Sequence, residues 1–397
     1  MNTNKIKLVI THPSQLIPRT VEYFCLDKLA LQFDLEYWDC SAIVYPAFNS
    51  PYKIERDYCK IIESLAHFKL SMERLPTDTL LISAVDDNSY NFGFHKIQST
   101  YIRNKIFVDF FHMSYDVEDK SPSLIKQTIR FAKSKLYGNE SLRGIIKWLF
   151  HHSDPQWKDK QVVEILRHKY RNTYVLSNYS DSEYRINHPD YETFLAAEAI
   201  LNNQRYVVFL DQYYPYHPEF KYIYSDLELE KIAVNYYRSL NAFFSKIEKY
   251  YDCKVIIAAH PYADYSKNPF EGRMIFTYKS AELVKYSYAV CMHSSCAISF
   301  AMLADKPLCI MTCEAWEARD VHNVQEYMEN YARRLSIPLT NIDKLQNIEN
   351  VFSKVPNSNR TDFIQKYLYD MVKPQTNYNL FISHLNNIYH EINGNEQ

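Results

Sequence analysis

Residues Tyr288–Thr312 read YAVCMHSSCAISFAMLADKPLCIMT, and this stretch decides the fold. A short apolar run ends at Met292, a helical stretch extends to about Leu303, and a second apolar run follows at Leu308–Thr312. Two wholly apolar strands joined by one helix suit a parallel sheet covered on both faces. His293-Ser294-Ser295 stands where the helix is expected to open, with Ser294 and Ser295 at the N-cap and first turn. There, hydroxyls and unpaired backbone N–H groups meet the positive end of the helix dipole, a seat for phosphate. Ordinary capping is the competing reading.

The same rhythm extends in both directions. Arg205–Asp211 (RYVVFLD), Lys254–Ala259 (KVIIAA) and Met274–Thr277 read as strands, and Asp226–Tyr250 as a long helix. In the first half, strands are expected at Lys5–Thr11, Leu35–Cys40, Thr79–Val85, Lys105–Phe111 and Asn172–Ser177. Helical pattern fills Thr20–Gln32, Tyr52–His67 and Ser123–Leu136, and returns over Thr361–Ile392. This alternation predicts an α/β protein of two doubly wound, Rossmann-like domains with a cleft between them. The expected boundaries are 1–190, 191–375 and a helical tail over 376–397 that packs back on the first domain, with the hinge in Asp181–Asn203.

Composition narrows the function. A chain of 397 residues is too long for one ordinary core. No apolar run approaches the ~20 residues of a membrane span. The start, MNTNKIKLVITHP, lacks a signal-peptide series, so a soluble, cytoplasmic protein is expected, any membrane attachment being peripheral. A net charge of −2 gives no reason to expect nucleic acid as partner. The eight cysteines form no CxxC pair or His/Cys ligand spacing, and the apolar neighbours of Cys291, Cys296, Cys309 and Cys313 point to buried thiols. Five glycines leave no GxGxxG, GxxxxGK[ST] or GxSxG. Any phosphate must therefore be held without a glycine-rich loop.

Four His-Pro pairs occur, at His12-Pro13, His188-Pro189, His217-Pro218 and His260-Pro261. His260 ends a strand, where open α/β sheets bind ligands. Proline fixes the local backbone, and the imidazole can donate a hydrogen bond or a proton to a departing oxyanion. The competing reading is a turn histidine. His260 and Ser294/Ser295, on neighbouring strands, are expected to grip one phosphate from two sides. His12-Pro13 also follows a strand and is assigned to the acceptor side, whereas His188-Pro189 reads as a turn in polar hinge sequence.

The remaining polar candidates stand beside other strand ends. In FLDQYYPYHPEF, Asp211 and Gln212 are placed to bind hydroxyls, or Asp211 to orient His217; the alternative is an aromatic loop with a capping aspartate. Val85-Asp86-Asp87-Asn88 follows a first-half strand and offers a general base or an Asp/Asn turn. The rival carboxylates are Asp109, Asp116 and Glu118. Asp181-Ser182-Glu183 is the nearest approach to a DxD metal motif and reads as solvated. Helix dipoles and imidazole would then stabilise the leaving phosphate, so a metal-independent reaction without cofactor is expected.

The strand-HP element, the strand-SS-helix element about thirty residues later and the DKP before an apolar strand resemble bacterial CMP-sugar glycosyltransferases of GT-B fold. That group includes sialyltransferases, polysialyltransferases and transferases of Kdo or other nonulosonic acids. The likeness covers chiefly Arg205–Thr312. It implies that His260, with Pro261, contacts the CMP phosphate and assists its departure, and that Ser294 and Ser295 bind the same phosphate. By the same analogy Glu282 holds a ribose hydroxyl, backbone near Thr277 reads the base, and Asp211 lies on the donor. The family's base is a carboxylate of the N-terminal domain, in an acidic pair followed by glycine. Asp87, ahead of Asp86, matches it here, with Asn88 in place of the glycine.

The resemblance implies an acceptor-binding first domain and a donor-binding second one. The implied reaction is inverting transfer of a nonulosonic acid from a CMP-sugar to a glycan or glycolipid, in bacterial surface polysaccharide synthesis. Two alternatives stay open. One is a CDP-polyol phosphotransferase of teichoic-acid type, whose serine pair commonly follows Asp-Tyr rather than the Met292-His293 found here. The other is a non-catalytic GT-B-like binding protein.

Overall fold

Apolar runs such as YVVFL at 206–210 and KVIIAA at 254–259 are buried almost throughout, as parallel strands covered on both faces must be. The computed structural model describes residues 5–46, 50, 52–85, 91–102, 104–110, 172–201, 204–217, 226–261, 263–317 and 324–394. The chain divides into two units. One holds the residues up to Phe110, those ending at Pro189 and those from Lys373 onward; the other is Asp190–Val372.

The first unit is built on strands β1 (Lys7–His12), β2 (Asp34–Asp39), β3 (Cys59–Ile61), β4 (Leu80–Ser83), β5 (Asn104–Asp109), β6 (Asn172–Ser177) and β7 (Tyr184–Arg185). They pair in the order β3-β2-β1-β4-β5-β6-β7, all parallel. The second unit has β8 (Tyr206–Leu210), β9 (Lys254–Ala259), β10 (Ile275–Thr277), β11 (Ala289–Met292), β12 (Leu308–Thr312) and β13 (Leu339–Asn341). Their order is β10-β9-β8-β11-β12-β13, again all parallel. Counted within each unit, both begin 3-2-1-4-5-6, the doubly wound Rossmann order. The chain is thus α/β with two Rossmann-like sheets. In this order the strand sequence reverses between β1 and β4, and between β8 and β11, which are the places such sheets open to ligands.

The helix Asp226–Tyr251 covers one face of the second sheet. Leu229, Ile232, Ala233, Tyr236, Tyr237, Leu240, Phe243, Phe244 and Ile247 are its buried stripe, at the three- and four-residue spacing of one helical face. The helix Asn377–Gly394 belongs to the first unit, where Phe381, Leu385 and Ile388 are fully buried among Phe24, Phe110 and Leu176. Asn187 and Asn377 tie it down reciprocally. The Asn187 amide donates to Asn377 Oδ1 at 2.7 Å, and Asn377 Nδ2 donates to the Asn187 carbonyl at 3.1 Å.

Several expected elements differ. The helical segment Thr20–Gln32 is two helices, Pro18–Tyr23 and Leu26–Gln32, because Cys25 adopts φ 52° between them. Tyr52–His67 is not one helix; it contains β3, and a helix begins only at Leu65, capped by Ser64 accepting from the His67 amide at 3.1 Å. The tail is two helices, Asn357–Tyr367 and Asn377–Gly394, separated by a segment containing Pro374. The hinge segment contains β7 and the helix Asp190–Ala196. Ser123–Leu136 lies outside the described residues.

Candidate functional site

The carboxyl edge of the second sheet brings three of the expected residues to one level. Leu210 pairs with Ala258 on one side and with Met292 on the other. Two residues beyond these, His260, Gln212 and Ser294 leave the sheet side by side. β8 lies between β9 and β11, so His260 and Ser294 are not on neighbouring strands as expected; two strand spacings, roughly 10 Å, separate their backbones. The gap is filled by Asp211 and Gln212.

Gln212 is bound to Ser294 twice. Its Oε1 accepts from the Ser294 amide at 2.8 Å, and its Nε2 donates to Ser294 Oγ at 3.4 Å. The Tyr214 hydroxyl shares that Oγ, also at 3.4 Å. Ser295 Oγ accepts from the Ala297 amide at 3.2 Å. The helix expected to open at His293 spans only Ile298–Leu303, so Ser294 and Ser295 are neither its N-cap nor its first turn. Short i→i+3 bonds, Ser295 to Ile298 and Cys296 to Ser299, carry the chain through tight turns before α-helical spacing begins. The stretch is therefore a serine turn, not the helix end expected to seat a phosphate.

Asp211 is nearly buried, and its partners are internal. Oδ1 accepts from the Tyr213 amide at 3.0 Å and Oδ2 from the Tyr265 hydroxyl at 2.5 Å. Burial raises its pKa to about 6, against hydrogen bonds from Tyr265 and from the backbones of Tyr213, His260 and Gln212 that favour the ionised form. His217 is not among its partners, so Asp211 does not orient that ring directly. It instead holds two loops together: Tyr213, in the left-handed region at φ 58°, and both ends of the His260–Tyr265 loop.

His260 and Pro261 are half-buried at the end of β9. The His260 ring meets His217 edge to face, with centroids 5.1 Å apart and planes at 71°. Thr277, the last residue of β10, pairs with Ala259 and so lies next to His260 on the far side from Ser294. Glu282 sits in the first turn of the helix Ser280–Tyr286 and pairs with Lys279 at 2.7 Å.

His293 belongs to the core. Its Nδ1 donates to the Met311 carbonyl at 2.7 Å, which makes Nε2 the acceptor for the Tyr236 hydroxyl at 2.9 Å. Phe209, Tyr214 and Tyr236 surround the ring, and burial lowers its pKa to about 4. A neutral, fixed imidazole thus anchors the turn that carries Ser294. Cys291, Cys309 and Cys313 are buried free thiols and Cys296 is partly buried.

The other candidates are dispersed. Asp86, Asp87 and Asn88 lie outside the described residues, as do Asp116, Glu118 and Pro218. Asp109 ends β5. His12 ends β1, packed on Phe24 and Tyr37 and hydrogen-bonded to Ser14, with its pKa lowered by burial to about 4. His188 is fully buried, so its surroundings are not the polar hinge expected. Ser182 donates to the Val175 carbonyl, and Asp181 accepts from Ser180. Among the described residues no three His, Cys, Asp or Glu side chains gather as a metal ion would need, and no helix is long and apolar enough to cross a membrane.

The sequence reading missed Tyr265 and Tyr214, bonded to Asp211 and Ser294, and Tyr236, bonded to the core residue His293 beneath the turn. Their signal, a tyrosine near a strand end, is drowned by 35 tyrosines in the chain.

No protein-family model matches the chain, and no curated protein matches it in sequence. Among solved structures it is similar to the wall teichoic acid polymerase TagF, in its H444N form with CDPG, at 10% identity and a TM-score of 0.48 over 99% of this chain and 92% of that one. It is also similar to the glycosyltransferase SnogD from Streptomyces nogalater, at 12% identity and a TM-score of 0.44 over 98% and 100%. A third is the UDP-GlcNAc 2-epimerase from Methanocaldococcus jannaschii, at 10% identity and a TM-score of 0.38 over 94% and 96%. Similarity at this level assigns no role to any residue of this chain.

Proposed function

We propose that the chain is an inverting glycosyltransferase that moves a nonulosonic acid from a CMP-sugar donor to a glycan acceptor. One observation carries this reading: His260, Gln212 and Ser294 leave three adjacent strands at one level, beside the point where the strand order reverses. Open sheets of this order bind nucleotides there. The donors available are an imidazole, two serine hydroxyls and the Ser294 amide that Gln212 now occupies, a set suited to the oxygens of one phosphoryl group.

In the proposed reaction an acceptor hydroxyl oxygen attacks the anomeric carbon of the sugar. The new C–O bond forms as the bond from that carbon to the phosphate oxygen breaks, and CMP leaves with the electron pair. His260 donates to the departing phosphate, and Ser294 and Ser295 hold its other oxygens, so negative charge develops against positioned donors. The acceptor proton passes to Asp87 or Asp86, an assignment that rests on their place after Val85 in the sequence. Asp211 acts through the loop that carries His260, because its own carboxylate is already bonded inside the protein.

The test is release of CMP from a CMP-sialic acid, CMP-Kdo and CDP-glycerol panel with glycan and polyol-phosphate acceptors. Transfer from a CMP-sugar, lost in a folded His260→Ala variant, is the expected result. Release from CDP-glycerol alone moves the chain to polyol-phosphate transfer. Binding of no cytidine nucleotide, seen as an unchanged melting temperature, makes it a non-catalytic binding protein.

A further inference from the structure

We propose that His217 is a second ligand-contacting imidazole of the site, and that with His260 it presents two ring nitrogens to one phosphoryl group. The inference rests on the reading that the carboxyl edge of this sheet binds a nucleotide phosphate. It holds whether CMP leaves from a sugar or from a polyol phosphate.

The two rings are 5.1 Å apart between centroids, at 71°. Two oxygens of a phosphoryl group lie about 2.5 Å apart, and each accepts a hydrogen bond of about 2.8 Å from a ring nitrogen. Rings at this separation can reach both oxygens at once. Their edge-to-face contact sets the edge of one ring against the face of the other, so each ring limits the rotation of its neighbour.

The approach of His217 is built, not incidental. It follows tyrosines that are held one by one. The Tyr213 amide is bonded to Asp211 at 3.0 Å, and the Tyr213 hydroxyl donates to the Asp264 carbonyl at 3.4 Å, inside the loop that follows His260. The Tyr214 carbonyl accepts from Tyr237 at 3.1 Å, and the Tyr216 hydroxyl donates to Glu230 at 2.9 Å. Tyr216 also stacks on Tyr237, at 6.5 Å and 27°. The core and the long helix thus fix a loop whose last described residue, His217, is half-exposed against a half-exposed His260. A loop held only for packing has no need of a polar ring there.

The experiment measures affinity for CMP, and separately for inorganic phosphate, by calorimetry on the full chain. The proteins are wild type, His217→Phe, His217→Gln and His260→Ala, each first checked for an unchanged unliganded melting temperature. Phenylalanine keeps a ring on His260 but no donor; glutamine keeps a donor but no ring. The expected result is a tenfold or greater loss of CMP affinity in His217→Phe, a smaller loss in His217→Gln, and the same order for phosphate. Wild-type affinity in His217→Phe, with the loss confined to His260→Ala, overturns the role of His217 and leaves the nucleotide reading standing. A wild-type chain that binds neither CMP nor phosphate overturns both.

Discussion

Gln212 and Ser294 are joined amide to amide across adjacent strands, with Gln212 Oε1 2.8 Å from the Ser294 nitrogen. The side-chain oxygen occupies the donor that a phosphate oxygen would take, while the weaker bond from Nε2 to the serine hydroxyl is long at 3.4 Å. Binding a nucleotide at this turn therefore means exchanging one acceptor for another at the same N–H. The bond lost and the bond gained are similar in kind, so the exchange costs little when the incoming oxygen is charged.

Two substitutions separate exchange from mere bracing. Gln212→Ala releases the Ser294 amide, and CMP affinity is expected to stay at or above that of wild type. Gln212→Glu sets a carboxylate against the incoming phosphate, and affinity is expected to fall tenfold or more. Calorimetric titration with CMP reads both. The reverse order, with alanine weaker than glutamate, would make the pair a loop brace with no part in binding.

The turn carrying Ser294 depends on His293 being neutral and doubly bonded. Tyr236→Phe removes the hydroxyl that satisfies Nε2 and leaves a buried acceptor alone, at a cost of about 1–3 kcal/mol. Chemical denaturation should show that loss with an unchanged dependence on denaturant concentration. A variant as stable as wild type would mean that the ring finds another partner and that the turn is not anchored there.

The parts legible in the sequence share one property: they are decided by neighbours in the chain. Asn172–Ser177, Lys254–Ala259 and Leu308–Thr312 are found with the bounds expected, since each is a compact run flanked by charged, polar or proline residues. The strands Cys59–Ile61, Tyr184–Arg185 and Leu339–Asn341 escaped because two or three residues at a sheet edge carry no period. The start of the helix after Ser295 was misplaced because serine favours N-caps and tight turns alike, and here its Oγ serves a turn. Strand order is not written locally at all. That β8 separates β9 from β11, and so puts Gln212 between His260 and Ser294, depends on pairing between residues some fifty to eighty positions apart.

In the first unit the C-terminal helix is part of the core, which gives a prediction independent of function. Phe381 is fully buried among Phe24 and Phe110, with ring centroids at 6.4 and 6.3 Å. Phe381→Ala is expected to destabilise this unit by about 3–5 kcal/mol. Asn377→Ala strands the buried Asn187 amide and is expected to cost about 1–3 kcal/mol. Amide exchange over 377–394 should accelerate in both variants while that of the strands in the second unit does not change. Protection that stays as in wild type would show that the helix is not held by these contacts.

Two buried groups of the second unit titrate in the same range with opposite consequences for stability. Asp211 has its pKa raised from 3.8 to about 6, so the folded chain holds this proton more tightly than the unfolded one. Its contribution is full below 3.8 and is lost as pH rises through about 6. His293 is lowered from 6.5 to about 4, and its contribution is full above 6.5 and is lost as pH falls through about 4. Each of these displacements corresponds to on the order of 3 kcal/mol, so the two slopes largely cancel between pH 4 and 6.5. Asp211→Asn keeps an oxygen for the Tyr213 amide and removes one of the two slopes. The melting temperature of its second unit is expected to climb with pH across that window, while the wild-type profile stays flatter. His12, also lowered to about 4, adds a rise of the same sign in the first unit and has to be separated by following the two transitions individually. If Asp211→Asn and wild type run parallel from pH 4 to 7, the carboxyl is not titrating from inside the protein, and its place as the clamp between the loops of His217 and His260 is lost.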